Sequence, residues 1–127
     1  MKLATNIVAA LLGLVFVAGA LFFFFGTLPP PAPEDSLPGK FMAAFGPTGY
    51  MNFVKVLEIL GGALLAVPKT RNFGLLIIGP IIVNILCFHG FVLKGVGLLS
   101  PSLLIISAAA LFLLWAERRA FAGLVNR

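Results

Sequence analysis

A chain of 127 residues that is 61% hydrophobic and only 10% charged cannot hide its apolar surface in a water-soluble globule, because small domains leave much of their surface exposed. Its net charge of +5 does not point to nucleic acid: the basic residues stand at the ends of apolar runs, as in membrane topology, and form no basic helix face or aromatic-and-basic groove. A single cysteine, Cys87, excludes an intrachain disulfide and reads as a small apolar core residue. A single histidine, His89, leaves only a His–Met haem or a site shared between copies, so no metal is expected within the chain.

Residues 7–28, IVAALLGLVFVAGALFFFFGTL, form an uncharged run long enough to cross a bilayer as a helix. A cleaved signal peptide competes with that reading, with Lys2 as a short basic region and Ala18-Gly19-Ala20 as a cleavage site. The run continues through Leu21 and four phenylalanines, longer than a signal core, so a retained first span is expected. Residues 27–39, rich in proline, form a loop. In the following KFMAAFGPTG, Phe41, Met42 and Phe45 share one helical face. A short interfacial helix and an irregular loop are both compatible with that pattern.

Residues 50–67 and 73–93 are the expected second and third spans, with Tyr50 at the headgroup boundary and Pro68 closing the second. Gly61 and Gly62 allow close helix approach. Gly79 and Pro80 are expected to kink the third span and free a backbone carbonyl. Gly95 and Gly97 mark a turn, Ser100 an N-cap and Pro101 a first helical position. Residues 102–116 form the fourth span, which continues amphipathically through Glu117, Arg118 and Arg119. The expected fold is therefore all-α: one domain, residues 1–127, forming an integral membrane four-helix bundle with an interfacial segment between helices 1 and 2.

With four spans, Lys2, Lys69, Arg71, Arg118, Arg119 and Arg127 share one side, against Lys40 and Lys94 on the other. The positive-inside rule then places both termini in the cytoplasm.

Four polar residues interrupt the second and third spans. Lys55 and Glu58 lie about 8 and 12 Å below the outer face; His89 and Asn84 lie about 6 and 13 Å below it, at 1.5 Å per residue. Burying an ionisable group in hydrocarbon costs about 2.5–3.5 kcal/mol, so such groups face a bundle interior. Lys55 and Glu58, three apart, share a face with Gly62. Asn84 and His89 are about 140° apart on an ideal helix and cannot both face the second helix squarely. The functional reading is an outward-opening pocket for a quinone headgroup or a proton relay, since burial and neighbouring charge tune both histidine and carboxylate. The structural reading is interhelical hydrogen bonding, worth about 0.6 kcal/mol per contact, with Lys55 snorkelling outward.

The step Lys55-Val-Leu-Glu58 into Gly61-Gly62-Ala-Leu-Leu, the basic turn at 68–71, and Pro80-Ile-Ile-Val-Asn84 leading to Phe88-His89 resemble the DoxX-like family of small four-helix bacterial membrane proteins. The resemblance is strong over residues 50–94 and topological elsewhere. It implies a multi-pass protein of the bacterial inner membrane, associated with redox systems, with Glu58 and His89 in its polar core. The expected function is a non-catalytic subunit or anchor of a quinone-linked redox system, partnered by the bilayer and by other membrane or redox subunits or further copies of itself. A quinone-binding or proton-relaying protein and a small homo-oligomeric transporter are the alternatives. No cofactor is expected within the chain beyond a bound quinone or lipid.

Overall fold

A sequence without charge after Lys2 makes α1 one uninterrupted helix, Lys2–Phe25, of 24 residues, or about 36 Å at the α-helical rise. The computed structural model describes residues 2–26 and 30–125, and among these the chain is helical and has no strand. α2 (Leu37–Phe45) leads through a 3₁₀ turn, Gly46–Thr48, into α3 (Tyr50–Ala66). A second 3₁₀ turn, Pro68–Thr70, joins α3 to α4 (Arg71–Cys87), which passes directly into a π-turn, Phe88–Val92. α5 (Pro101–Ala116) and the short α6 (Arg118–Ala122) complete the chain. Leu28, the expected end of the first span, the first residues of the expected proline loop (27–29), and Arg127, one of the six residues that set the expected orientation, lie outside the described residues.

α1 shows how the helices are sorted. It buries Thr5, Ala9, Leu12, Gly13, Phe16 and Ala20, a stripe of mostly small or apolar residues at helical spacing. Its other faces expose Leu3, Ile7, Leu11 and Leu14. Large apolar residues face outward on every long helix, among them Phe53, Phe73, Val83, Ile105 and Leu111. A water-soluble monomer does not carry so much contiguous apolar surface. Among the described residues, two helical stretches, Lys2–Phe25 and Pro68–Val92, are long and apolar enough to cross a membrane. α2 and α3 would together make a third, but they meet at a bend of 82°, and Pro101–Ala116 is shorter.

α1 packs on α3 and α5, α3 on α4, and α4 on α5. Leu65, Ile78 and Leu113 meet at the centre with no solvent contact, beside Leu12 and Phe16. Glycines bring the backbones together. A Cβ on Gly62 would lie 2.7 Å from the Gly13 carbonyl oxygen, and one on Gly61 would lie 2.8 Å from Ile77 Cγ2. Gly74, unremarked in the sequence, sits against the backbone of Leu65. Gly79 does not belong with these: a Cβ there would meet nothing within 4 Å. Pro80 is exposed, and α4 continues through it as one helix. The missing proline N–H removes the helical donor to the Leu76 carbonyl, one turn back. Ser100 does occupy the N-cap of α5, yet its side chain makes no capping bond; Ser36 is the serine that caps, accepting at 3.1 Å from the Gly39 N–H at the start of α2.

Candidate functional site

Between α2, α3 and the end of α4 lies a cavity of about 500 Å³, and Lys55, Glu58, Asn84 and His89 all line it. Three local features hold it open. The capped α2 forms one wall and contributes Phe41, Met42 and Phe45. Gly49, at φ 81°, takes the left-handed conformation that turns the chain from the 3₁₀ turn into α3, a region that costs a residue bearing Cβ. The aromatic rings then form a continuous chain: Tyr50 to Phe45 at 5.1 Å, Phe45 to Phe41 at 4.8 Å, and Phe41 edge-on to Phe88 of the π-turn at 5.0 Å. Such pairs add about 0.5–1.5 kcal/mol each beyond burial and tie α2 to α4.

Glu58 is buried and forms an ion pair with Lys55 at 3.2 Å. The Lys55 ammonium also lies 5.4 Å from the centre of the Phe23 ring on α1, a cation–π distance. Of the partners considered from sequence, then, Lys55 takes the carboxylate, and Lys55 is held between two helices as well as being partly open to the outside.

His89 bonds through Nδ1 to the Ile85 carbonyl oxygen at 2.9 Å. A carbonyl can only accept, so Nδ1 carries the proton and a neutral ring keeps Nε2 as a lone-pair acceptor. Asn84 and His89 line the same cavity despite their spacing on an ideal helix. The helix does not stay ideal: in the π-turn the Leu93 N–H reaches back five residues to the Phe88 carbonyl at 3.0 Å. That underwinds the chain beside His89, and π-turns of this kind recur at functional sites. Asn84 itself is exposed at the cavity wall rather than buried. Cys87 is not the core residue expected; it is exposed and lines the cavity too.

Arg71 is the residue whose burial the sequence did not signal directly. Counted as a flanking charge, it is buried, donates from Nε to the Leu65 carbonyl at 3.3 Å, and stands 3.9 Å from the Glu117 carboxylate. The available signal was Glu117, an acidic residue at the same end of the bundle as the 68–71 turn.

No protein-family model matches the chain, and no solved structure matches it. It is 36% identical over 118 residues to the uncharacterized protein YwoB of Bacillus subtilis (strain 168), an alignment covering 88% of this chain and 75% of that protein. The chain belongs to the same family as YwoB.

Proposed function

We propose that this is a four-span protein of the bacterial inner membrane, DoxX-like, with both termini in the cytoplasm, and that its outer cavity receives the ring of a lipid-soluble quinone as part of a membrane redox system. The observation that carries the reading is the gathering of Lys55, Glu58, Asn84 and His89 on one cavity of about 500 Å³ with aromatic and aliphatic walls. A mostly apolar cleft with few polar groups is the usual form of a small-molecule site. The chemistry suits a quinone. The Lys55 ammonium and the Asn84 amide are donors for a quinone carbonyl, and His89 Nε2 and the Glu58 carboxylate are acceptors for a quinol hydroxyl. Phe41, Phe45 and Phe88 offer faces for ring stacking.

Within that reading the chain serves as the quinone-side subunit or anchor of a partner complex, and no reaction step is assigned to it. The transporter reading draws no support from the packing, because Leu12, Phe16, Leu65, Ile78 and Leu113 fill the centre between the two ends. The four-span topology is supported by how the ends fall. Lys2, Pro68, Arg71 and Arg118 line one cavity at one end, while Lys55 and His89 line the other. Purification from native membranes, with extraction and identification of bound quinones and of co-purifying subunits, tests the proposal.

A further inference from the structure

At the opposite end of the bundle a second cavity, of about 430 Å³, is lined by Lys2, Asn6, Arg71, Trp115, Glu117 and Arg118, among others. Its polar groups are unbalanced. Arg71 is only 4% exposed, and its Nη2 is buried with no hydrogen-bond partner. Its Nη1 faces Glu117 at 3.9 Å, beyond hydrogen-bonding distance. A buried guanidinium with an unmet donor is costly, and natural structures seldom leave one without a ligand, ion or water. Around it, among the described residues, stand two further cations, Lys2 and Arg118, and the carboxylate of Glu117. Arg118 is held in place: it donates to the Trp115 carbonyl at 2.7 Å and lies 4.5 Å from the Trp115 ring centre.

We infer that this cavity is a phosphate-recognition site, its ligand an anionic phospholipid headgroup or free phosphate. The planar fork of arginine matches phosphate oxygens in a way that a point charge does not. Three cations converging on one cleft, one of them buried and underused, supply the charge. Trp115, half exposed beside the site, is the residue type that settles at the headgroup level. The apolar flanks exposed next to it, Leu3 and Ile7 on α1 and Leu111 and Leu114 on α5, give acyl chains a path away from the headgroup. The inference is independent of the quinone cavity.

Trp115 is the sole tryptophan and therefore a local reporter. The full chain is placed in nanodiscs of phosphatidylcholine, and either phosphatidylglycerol is included or inorganic phosphate is titrated against chloride at equal ionic strength. A lipid ligand shifts Trp115 emission and raises the melting temperature with phosphatidylglycerol alone; a free-phosphate ligand does so with phosphate in pure phosphatidylcholine. Arg71→Lys, which keeps the charge but loses the fork, weakens the response about tenfold, and Lys2→Gln weakens it several-fold. Arg119→Gln, at an exposed residue outside the cavity, leaves it unchanged. No response in either arm overturns the inference. So does an Arg119→Gln effect equal to that of Arg71→Lys, which would mark mere surface electrostatics.

Discussion

The Lys55 ammonium stands 3.2 Å from the Glu58 carboxylate, one helical turn apart on α3, with Glu58 buried and Lys55 less than a quarter exposed. A pair in that position is asymmetric in its consequences. Taking away one member strands the other, while taking away both leaves only apolar contacts to be judged.

Lys55→Met should therefore destabilise the protein by about 1–3 kcal/mol, the cost of leaving a buried polar group unpaired. The double variant Lys55→Met/Glu58→Leu should recover part of that loss. Equilibrium unfolding in mixed micelles reads both, and a double variant worse than Lys55→Met alone would show that Glu58 makes favourable contacts beyond its pair with Lys55. Glu58→Gln keeps the shape and should fold, so any loss of quinone binding in that variant reports on charge rather than packing.

The glycine contacts make a sharper prediction. A Cβ on Gly13 would run into the Gly62 carbonyl oxygen, a backbone atom that cannot step aside. Gly13→Ala should cost about 1–3 kcal/mol, the usual penalty for overpacking. Gly19→Ala on the same helix, where a Cβ meets nothing within 4 Å, should be neutral or slightly stabilising. Equal effects in thermal unfolding would mean that α1 does not approach α3 as described.

These contacts also show what could be read before the structure. Gly61 and Gly62 were legible because paired small residues in an apolar run have few other uses, and Lys55 with Glu58 because their spacing puts them on the Gly62 face. The π-turn was not legible. Nothing in Phe-His-Gly-Phe-Val spells a five-residue hydrogen bond, and the cavity is wide enough to be bordered by Asn84, Cys87, Phe88 and His89 together. The burial of Arg71 was not legible either: a cation at the end of a span reads as a flanking charge, and its contacts with the Leu65 carbonyl and Glu117 are set by tertiary packing. Cys87 is a core residue by type alone; its helical position leaves it exposed at the cavity.

Topology has a direct test. Reporter fusions after Asp35 and after Arg127 should register opposite compartments, with Arg127 cytoplasmic. Both on one side would remove the four-span arrangement or its first helix.

Cys87 provides a probe of the cavity. A membrane-permeant maleimide should label it, and a short-tailed quinone should slow labelling several-fold by occupying the space the thiol borders. Cys87→Ser should leave folding and quinone binding intact, since no bond to the thiol holds the site together. Labelling that is indifferent to quinone would place Cys87 outside the occupied volume.

The central claim is that a quinone ring occupies the cavity beside Glu58 and His89. Equilibrium binding of a short-tailed quinone to the purified protein in nanodiscs, compared with Val54→Trp, measures this most directly, because Val54 lines the cavity and makes no polar contact. The account predicts saturable binding at one site per chain, weakened at least about tenfold by the bulk of Val54→Trp in a protein that still folds, and weakened also by His89→Ala. Binding that is unsaturable, or equal in the wild-type and Val54→Trp proteins, would contradict it.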